Sequence, residues 1–344
     1  MNDKTLKFAI VGCGRIAPRH GGALSEIAAK ANVELAACCD VIENRAANFA
    51  KTYGCQPYTD YRVMLERPDI DVVSVCVPSG LHAQLGIEAA RAGKHVLVEK
   101  PIALTVEDAD ALIRACETAG VTLGVVLQNR FNLPMRDLRT LVDSGELGTL
   151  HLGSATVRWY RPQEYYEDGW HGTLAMDGGA LMNQSIHHID ALQWLMGDVE
   201  SVYAYTGTLA HRMEAEDVGV VVVRFKNGAL GTIEGSTLTY PENLEGSVAL
   251  FGEFGSVKVG GTALNRKVFW KVRGQLEHER ELLTREAIDP PSVYGSSHRE
   301  QLIEMVSAIR EGRLPSTHGR EARRSLALVT AIYQSARERR EITL

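Results

Sequence analysis

From Lys7 to Val126, short apolar runs alternate with stretches in which apolar positions recur every three to four residues. The runs Lys7–Val11, Val33–Cys39, Val72–Val77, His95–Val98 and Val121–Val126 predict strands. Between them Ala17–Lys30, Glu43–Tyr53, Leu81–Ala92 and Val106–Ala119 have the helical period. Thr105 followed by Asp108 suits a capped helix start, and Gly93 and Gly120 fall where helices should stop. Regular alternation of strand and helix implies a parallel sheet.

After Gln128 the pattern changes. A helix at Leu133–Asp143, ended by Ser144-Gly145, leads into strands at Val199–Gly207, Val218–Phe225, Gly231–Thr239, Ser247–Phe251 and Ser256–Val259. Lys226-Asn227-Gly228 is a strong hairpin turn between two of them. Two helices, about His298–Glu311 and Gly319–Arg339, close the chain. The expectation is an α/β domain over 1–127 and an α+β domain over 128–344, the second with an open, mostly antiparallel sheet. A length of 344 residues, beyond one ordinary core, agrees with two domains.

Composition narrows the field. Hydrophobic content of 45% with 23% charged residues is that of a soluble globular protein. A net charge of −6 gives no reason to expect nucleic acid or a membrane as partner, so an anionic ligand must be held by a local site. The densest apolar run, Val220–Val223, is far short of a membrane span. The first residues have no signal-peptide layout. Cys13, Cys38, Cys39, Cys55, Cys76 and Cys116 form no Cys-x-x-Cys pair and read as reduced core residues, so a cytoplasmic location is expected.

Gly12-x-Gly14-x-x-Ala17, with Arg15 and Ile16 inside it, sits between a strand and a helix. Such glycines let the backbone approach a pyrophosphate at a helix N-terminus. Asp40 ends the next strand 23 residues beyond Ala17, close to the spacing of a ribose-binding carboxylate, and would repel a 2′-phosphate. NAD is therefore expected over NADP; the alternative is a glycine turn that binds nothing. Val77-Pro78-Ser79-Gly80-Leu81-His82 would floor the nicotinamide ribose, with His82 equally readable as a helix-start residue without chemical role. Lys100 ends the strand of Val96-Leu97-Val98-Glu99-Lys100-Pro101 and should face the crevice where ligands bind such sheets. Glu99 and Gln128 are counted with the cofactor-binding residues.

Asn183, His187 and Asp190 are spaced i, i+4, i+7, one stripe of a helix with apolar flanks. A polar stripe on a buried helix is either a satisfied network or a reaction site. No His-Glu-x-x-His pattern occurs, so no metal is expected. The segment Arg158–Gly172 mixes aromatics and arginines as a sugar-wrapping loop does, though an oligomer contact is the alternative. Arg130, Arg158, Arg161, Gln163, Tyr166 and Trp170, with Asn183 and His187, are the candidate substrate ligands.

The Gly12–Ala17 turn, Glu99-Lys100-Pro101 and the Gly178-Gly179-rich segment carrying His187 and Asp190 resemble the Gfo/Idh/MocA oxidoreductase superfamily along essentially the whole chain. That resemblance implies a Rossmann domain followed by an open-sheet substrate domain, hydride transfer between NAD(P) and a sugar hydroxyl carbon, a cis Lys100–Pro101 peptide and face-to-face packing of sheets into a dimer or tetramer. Many members carry an aspartate where Asn183 stands; Asp190 is the carboxylate on the same stripe that could take its place. Arg161–Tyr166, Gly178–Gln184, Leu238–Pro241, Asn243–Ser247 and Ser292–Gly295 are similar to bacterial UDP-N-acetyl-2-amino-2-deoxyglucuronate 3-dehydrogenases, which implies a nucleotide-sugar acid as substrate. In the expected reaction His187 is the base and Lys100 stabilises the alkoxide, with the reverse assignment open. The rivals are the same chemistry on a free sugar or polyol, and a silent NAD-binding sensor.

Overall fold

The computed structural model describes residues 4–261, 263–275 and 297–344. It divides into two compact units. One runs up to Val126 and includes His298–Arg323; the other runs from Leu127 to Ser297, as far as described, and includes Arg324–Leu344.

The first unit is a six-stranded parallel sheet of β1 (Leu6–Val11), β2 (Val33–Cys39), β3 (Gln56–Tyr58), β4 (Val72–Val75), β5 (His95–Val98) and β6 (Leu123–Val125), in the order β3-β2-β1-β4-β5-β6. The strands are almost continuously apolar because crossover helices cover both faces: Phe8, Ile10, Val72, Val73, Val96 and Val98 are all inaccessible to solvent. These helices are α1 (Ala17–Ala31), α2 (Glu43–Tyr53), α4 (His82–Arg91) and α5 (Val106–Ala119), with a single turn, α3 (Tyr61–Leu65), before β4. The Thr105 hydroxyl accepts from the Asp108 amide at 3.1 Å, as the capping pattern predicts. Strand order reverses between β1 and β4, which opens a crevice at their carboxyl ends.

The sequence reading gave everything after residue 127 to the second domain. The structure returns 298–323 to the first. The helix His298–Glu311 buries Leu302 and Val306 in the same cluster as Phe8, Ile10, Leu24 and Ile27. Its Gln301 side-chain amide donates to the Val125 carbonyl at 2.6 Å. An amphipathic period reveals that a helix needs a core, not which core it joins.

The second unit is an eight-stranded sheet ordered β13-β12-β11-β7-β10-β9-β8-β14. Its strands are β7 (Leu150–Arg158), β8 (Val199–Gly207), β9 (Val218–Phe225), β10 (Leu230–Ser236), β11 (Glu245–Gly252), β12 (Gly255–Gly260), β13 (Arg266–Val272) and β14 (Ile342–Thr343). All neighbours are antiparallel except β7 and β10. Helix α6 (Leu133–Asp143) precedes the sheet, and α7 (Ile186–Met196) covers one face, where Gly153 of β7 admits Leu192 and Met196. On the other face β9 alternates strictly, with Val221 and Val223 buried while Val220 and Val222 are more than half exposed. Leu152, Tyr205, Leu230 and Phe251 are exposed as well.

All six cysteines are unpaired thiols. Among the described residues no helix is long and apolar enough to cross a membrane.

Candidate active site

In the first unit the site is built at the reversal of strand order. Gly12 follows β1 with φ +87°, and a Cβ there would lie 2.5 Å from the Cys76 carbonyl, so only glycine fits. Around Gly14 nothing lies within 4 Å of a Cβ position. Helix α1 begins there without any side-chain cap on its first amides. Open space beside uncapped helix amides fits the diphosphate of a dinucleotide. Arg15, exposed, and Ile16, half-buried, line the same turn.

Asp40 follows β2 and is nearly buried. Its carboxylate accepts from the Cys13 amide and from the Ile42 amide, each at 2.8 Å, which ties the glycine turn to the end of β2. Both oxygens keep a lone pair for a further donor. Val41 and Ile42 stand exposed beside it.

Pro78 opens a short 3-10 turn, Ser79–Leu81, in which Ser79 is buried. His82 is not at an open surface: Nδ1 lies 2.6 Å from the Pro101 carbonyl and Nε2 lies 2.9 Å from the Val77 carbonyl. Both carbonyls favour the charged ring, but burial outweighs them and pushes its pKa down, and the neutral ring donates to one of the two. This corrects its assignment to the cofactor surface. Lys100 follows β5, and Lys100–Pro101 is a cis peptide.

Glu99 is also engaged inward. One carboxylate oxygen lies 2.9 Å from His20 Nε2 and the other accepts from the Lys100 amide at 3.2 Å. Burial alone would raise its pKa; the hydrogen bond from His20, with the charges of His20, His298 and Lys100, outweighs it and holds the carboxyl at about 2. Donor atoms of His20, Glu99 and His298 lie within 4.8 Å of one another, the one group among the described residues with a spacing open to a metal. The 2.9 Å His20–Glu99 separation is that of a shared proton, and no metal is assigned. Sequence reading missed His20 and His298, which carry no motif and meet only through the fold.

In the second unit the expected stripe of Asn183, His187 and Asp190 is not one regular helix. Ala180–Gln184 is a π-turn, and α7 begins after Ser185. Asp190, expected as a carboxylate that could serve in place of one at position 183, is taken up by another partner. Both its oxygens are bound by Arg130, at 2.6 and 2.7 Å, in a buried fork beneath the Trp194 ring. The fork takes Nε and Nη2 of Arg130, the residue expected among the substrate ligands. The carboxylate that reaches Asn183 is Asp177, which accepts from the Asn183 side-chain amide and from the Gly172 amide. Gln128, expected beside the cofactor, has its amide nitrogen 3.4 Å from His187 Nε2.

Under the π-turn lies Glu216. It accepts from the Leu181 amide at 2.8 Å and from the Tyr333 hydroxyl at 3.0 Å, and burial raises its pKa to about 7. A Cβ at Gly179 would collide with its carboxylate, which accounts for the glycine there.

The arginine- and tyrosine-rich segment divides. Arg158 bonds Glu234 through two nitrogens, at 2.7 and 2.6 Å, and Glu245 at 3.1 Å, forming a charge ladder across β10, β7 and β11. Those partners correct its assignment to the substrate. Arg161 instead donates to Gln184 at 2.7 Å and to Asn243 at 3.1 Å, against the rings of Trp159 and Tyr165. Tyr165 bonds Gln184, and Tyr166 donates to Thr237 at 3.0 Å. Gln163 clips the backbone of Arg212, and Trp170 stacks on His171 at 3.7 Å. Arg161, Tyr165 and Gln184 thus join the loop to the π-turn, while Ser292–Gly295 lie outside the described residues.

Residues 6–127 match an oxidoreductase family with an NAD-binding Rossmann fold, and 135–258 match the GFO/IDH/MocA C-terminal domain. The chain belongs to the Gfo/Idh/MocA oxidoreductase family. The WlbA dehydrogenase of Bordetella pertussis, solved in complex with NADH and UDP-GlcNAcA, is 42% identical over 100% of this chain and 99% of that one, with a TM-score of 0.93. The WlbA dehydrogenase of Chromobacterium violaceum, solved with the same two ligands, is 39% identical over 100% and 97%, with a TM-score of 0.91. Myo-inositol 2-dehydrogenase of Thermotoga maritima is 28% identical over 98% of both chains. This Gfo/Idh/MocA chain is accordingly an NAD-dependent oxidoreductase.

Two predictions follow from the buried charges of this family member. Removing one side of the fork, as Arg130→Ala or Asp190→Ala, should cost about 3–5 kcal/mol in urea unfolding, because the other charge is left buried alone. Arg130→Met with Asp190→Leu together should recover most of that loss; equal losses in all three variants would show that the pair is not the cause. Glu216 binds its proton more tightly folded than unfolded, so its contribution is full below about pH 4.5 and is lost as pH rises toward about 7. The stability of Glu216→Gln relative to wild type should therefore rise with pH by roughly 1.4 kcal/mol per unit across that window. Melts at pH 5 and pH 8 check the sign.

Proposed function

We propose that this protein oxidises C3 of UDP-N-acetyl-2-amino-2-deoxyglucuronate, with NAD as acceptor, on the way to a surface-polysaccharide precursor. What carries the reading is the likeness, over the entire length, to WlbA dehydrogenases solved with NADH and UDP-GlcNAcA. NAD is held by Gly12, Gly14, Arg15 and Ile16 at its diphosphate and by Asp40 at its ribose, with Pro78 and Ser79 at the nicotinamide end. Bound there, the nicotinamide supplies the hydride acceptor. His187 takes the hydroxyl proton, a role that a neutral imidazole fills near pH 7. Lys100 donates a hydrogen bond to the developing alkoxide. Asn183, tied to Asp177, holds the turn that precedes His187. Arg161, Gln163, Tyr166 and Trp170 bind the sugar nucleotide, Arg161 at an anionic group.

A second reading, oxidation of a free polyol, is favoured by the full-length match to myo-inositol 2-dehydrogenase, at lower identity. Nicotinamide absorbance on mixing protein and NAD with the UDP-sugar acid, inositol or glucose separates the two. Reduction with the UDP-sugar acid alone is expected, and reduction with inositol or glucose alone would transfer the protein to the second reading. Lys100→Ala and His187→Ala should each lower turnover by about 100-fold or more while leaving NAD affinity near that of wild type. Near-normal turnover in both would sink the assignment.

The exposed face bearing Val220, Val222, Tyr205, Leu230, Leu152 and Phe251 is covered, in this reading, by the same face of a second copy. Light scattering should give a dimer or tetramer of the 37.7 kDa chain, with Val222→Lys shifting it toward monomer. A monomeric wild type would refute the packing.

A further inference from the structure

Arg161 differs from the other two arginines of the second unit that were expected at the substrate. Arg130 is neutralised by Asp190, and Arg158 by Glu234 and Glu245. Every oxygen that Arg161 bonds, among the described residues, is uncharged. These are the Tyr160 carbonyl at 2.6 Å, Asn243 Oδ1 at 3.1 Å and Gln184 Oε1 at 2.7 Å. Those bonds use three of the five N–H donors of a guanidinium, and Nε–H is not among them. The rings of Trp159 and Tyr165, 5.2 and 5.5 Å away, hold the group without cancelling its charge. The buried carboxylates in the neighbourhood serve other donors. Asp177 takes the Gly172 amide and Asn183, and Asp217 takes the amides of Leu209, Ala210 and His211. A half-buried cation is thus fixed in place but left unmatched among the described residues.

Gln184 is the buried arm of this clamp. It ends the π-turn, is 8% exposed, and uses both ends of its amide. Oε1 accepts from Arg161, and Nε2 donates to the Tyr165 hydroxyl at 3.0 Å. Glutamate is nearly isosteric and would bond arginine more strongly, but it would also neutralise it. We propose that Gln184 is a specificity-determining residue. By gripping Arg161 with an uncharged oxygen, it presents two N–H donors and an unmatched positive charge to an anionic oxygen group of the substrate. This deepens the functional reading above and rests on it, since that substrate carries two such groups, a sugar carboxylate and a diphosphate.

The test is calorimetric binding to the NADH-loaded enzyme of UDP-GlcNAcA and of UDP-GlcNAc, which has an alcohol in place of the carboxylate. Gln184→Glu should weaken UDP-GlcNAcA by about tenfold or more, because the new carboxylate occupies the charge. Gln184→Leu loosens Arg161 but leaves it charged, and should weaken binding less. A merely structural clamp gives the opposite order, since glutamate keeps the bond to Arg161 and leucine breaks it. That order, or wild-type affinity in Gln184→Glu, overturns the proposal. With the expected order, an equal loss for UDP-GlcNAc assigns the diphosphate to Arg161, and an unchanged affinity for it assigns the carboxylate. Should Gln184→Glu fail to fold, Asn243→Asp places a carboxylate on the exposed arm of the same clamp. The same loss is then expected, and an unchanged affinity overturns the idea. Failure of the functional reading looks different, because the wild type then neither binds nor oxidises either UDP sugar. Inorganic pyrophosphate titrated into NADH-loaded wild type and Gln184→Glu then decides the clamp: weaker binding to the variant supports it, and equal binding overturns it.

Discussion

A carboxylate can be buried as an anion only where the fold brings donors or a cation to it, and in this chain two such carboxylates organise the candidate site. In the first unit Glu99 is met by His20 and by the amide of Lys100. In the second, Asp190 is met by the Arg130 fork. Neither pair touches an open surface, yet each lies next to a residue given a chemical role. Arg130 is two positions beyond Gln128, and Asp190 is three beyond His187, so the fork sets the spacing at which Gln128 faces His187. Breaking it would release the candidate base as well as leave a charge unpaired.

Local structure was legible wherever a period or a cap ran long enough to register. The bounds of β2, α2, β5, α5, α6, β8 and β9 coincide with the patterns that predict them. What escaped was short or lacked a local pattern. β3 is three residues with Pro57 at its centre, and α3 is one turn. β7 and β13 lie in stretches whose charged and aromatic residues mask the alternation.

The site shows a different limit. Residue type and spacing singled out Arg130, Arg158, Glu99 and His82, and each is instead satisfied by a partner that sequence order does not reveal. Arg130 finds its carboxylate 60 residues away and Arg158 finds Glu234 76 residues away. An arginine in a motif-rich loop is equally suited to a phosphate and to a glutamate on the neighbouring strand. Register decides between them, because β10 pairs with β7 so that Glu234 lies beside Thr156, near enough for Arg158 to fork onto it. The π-turn at Ala180–Gln184 was hidden for a related reason. Spacing of i, i+4, i+7 assumes an unbroken α-helix, whereas the bond from the Ser185 amide to the Ala180 carbonyl is a wider turn.

That wider turn also sets what Asn183 meets. Asn183 carries no charge of its own, and the negative charge beside it comes from the preceding loop. It sits on Asp177, one hydrogen bond beyond the Asn183 amide, and Asp177 is almost wholly buried. The amide of Asn183 donates to Asp177 and so ties the turn to the preceding loop, where an aspartate at the same position would set two carboxylates against each other.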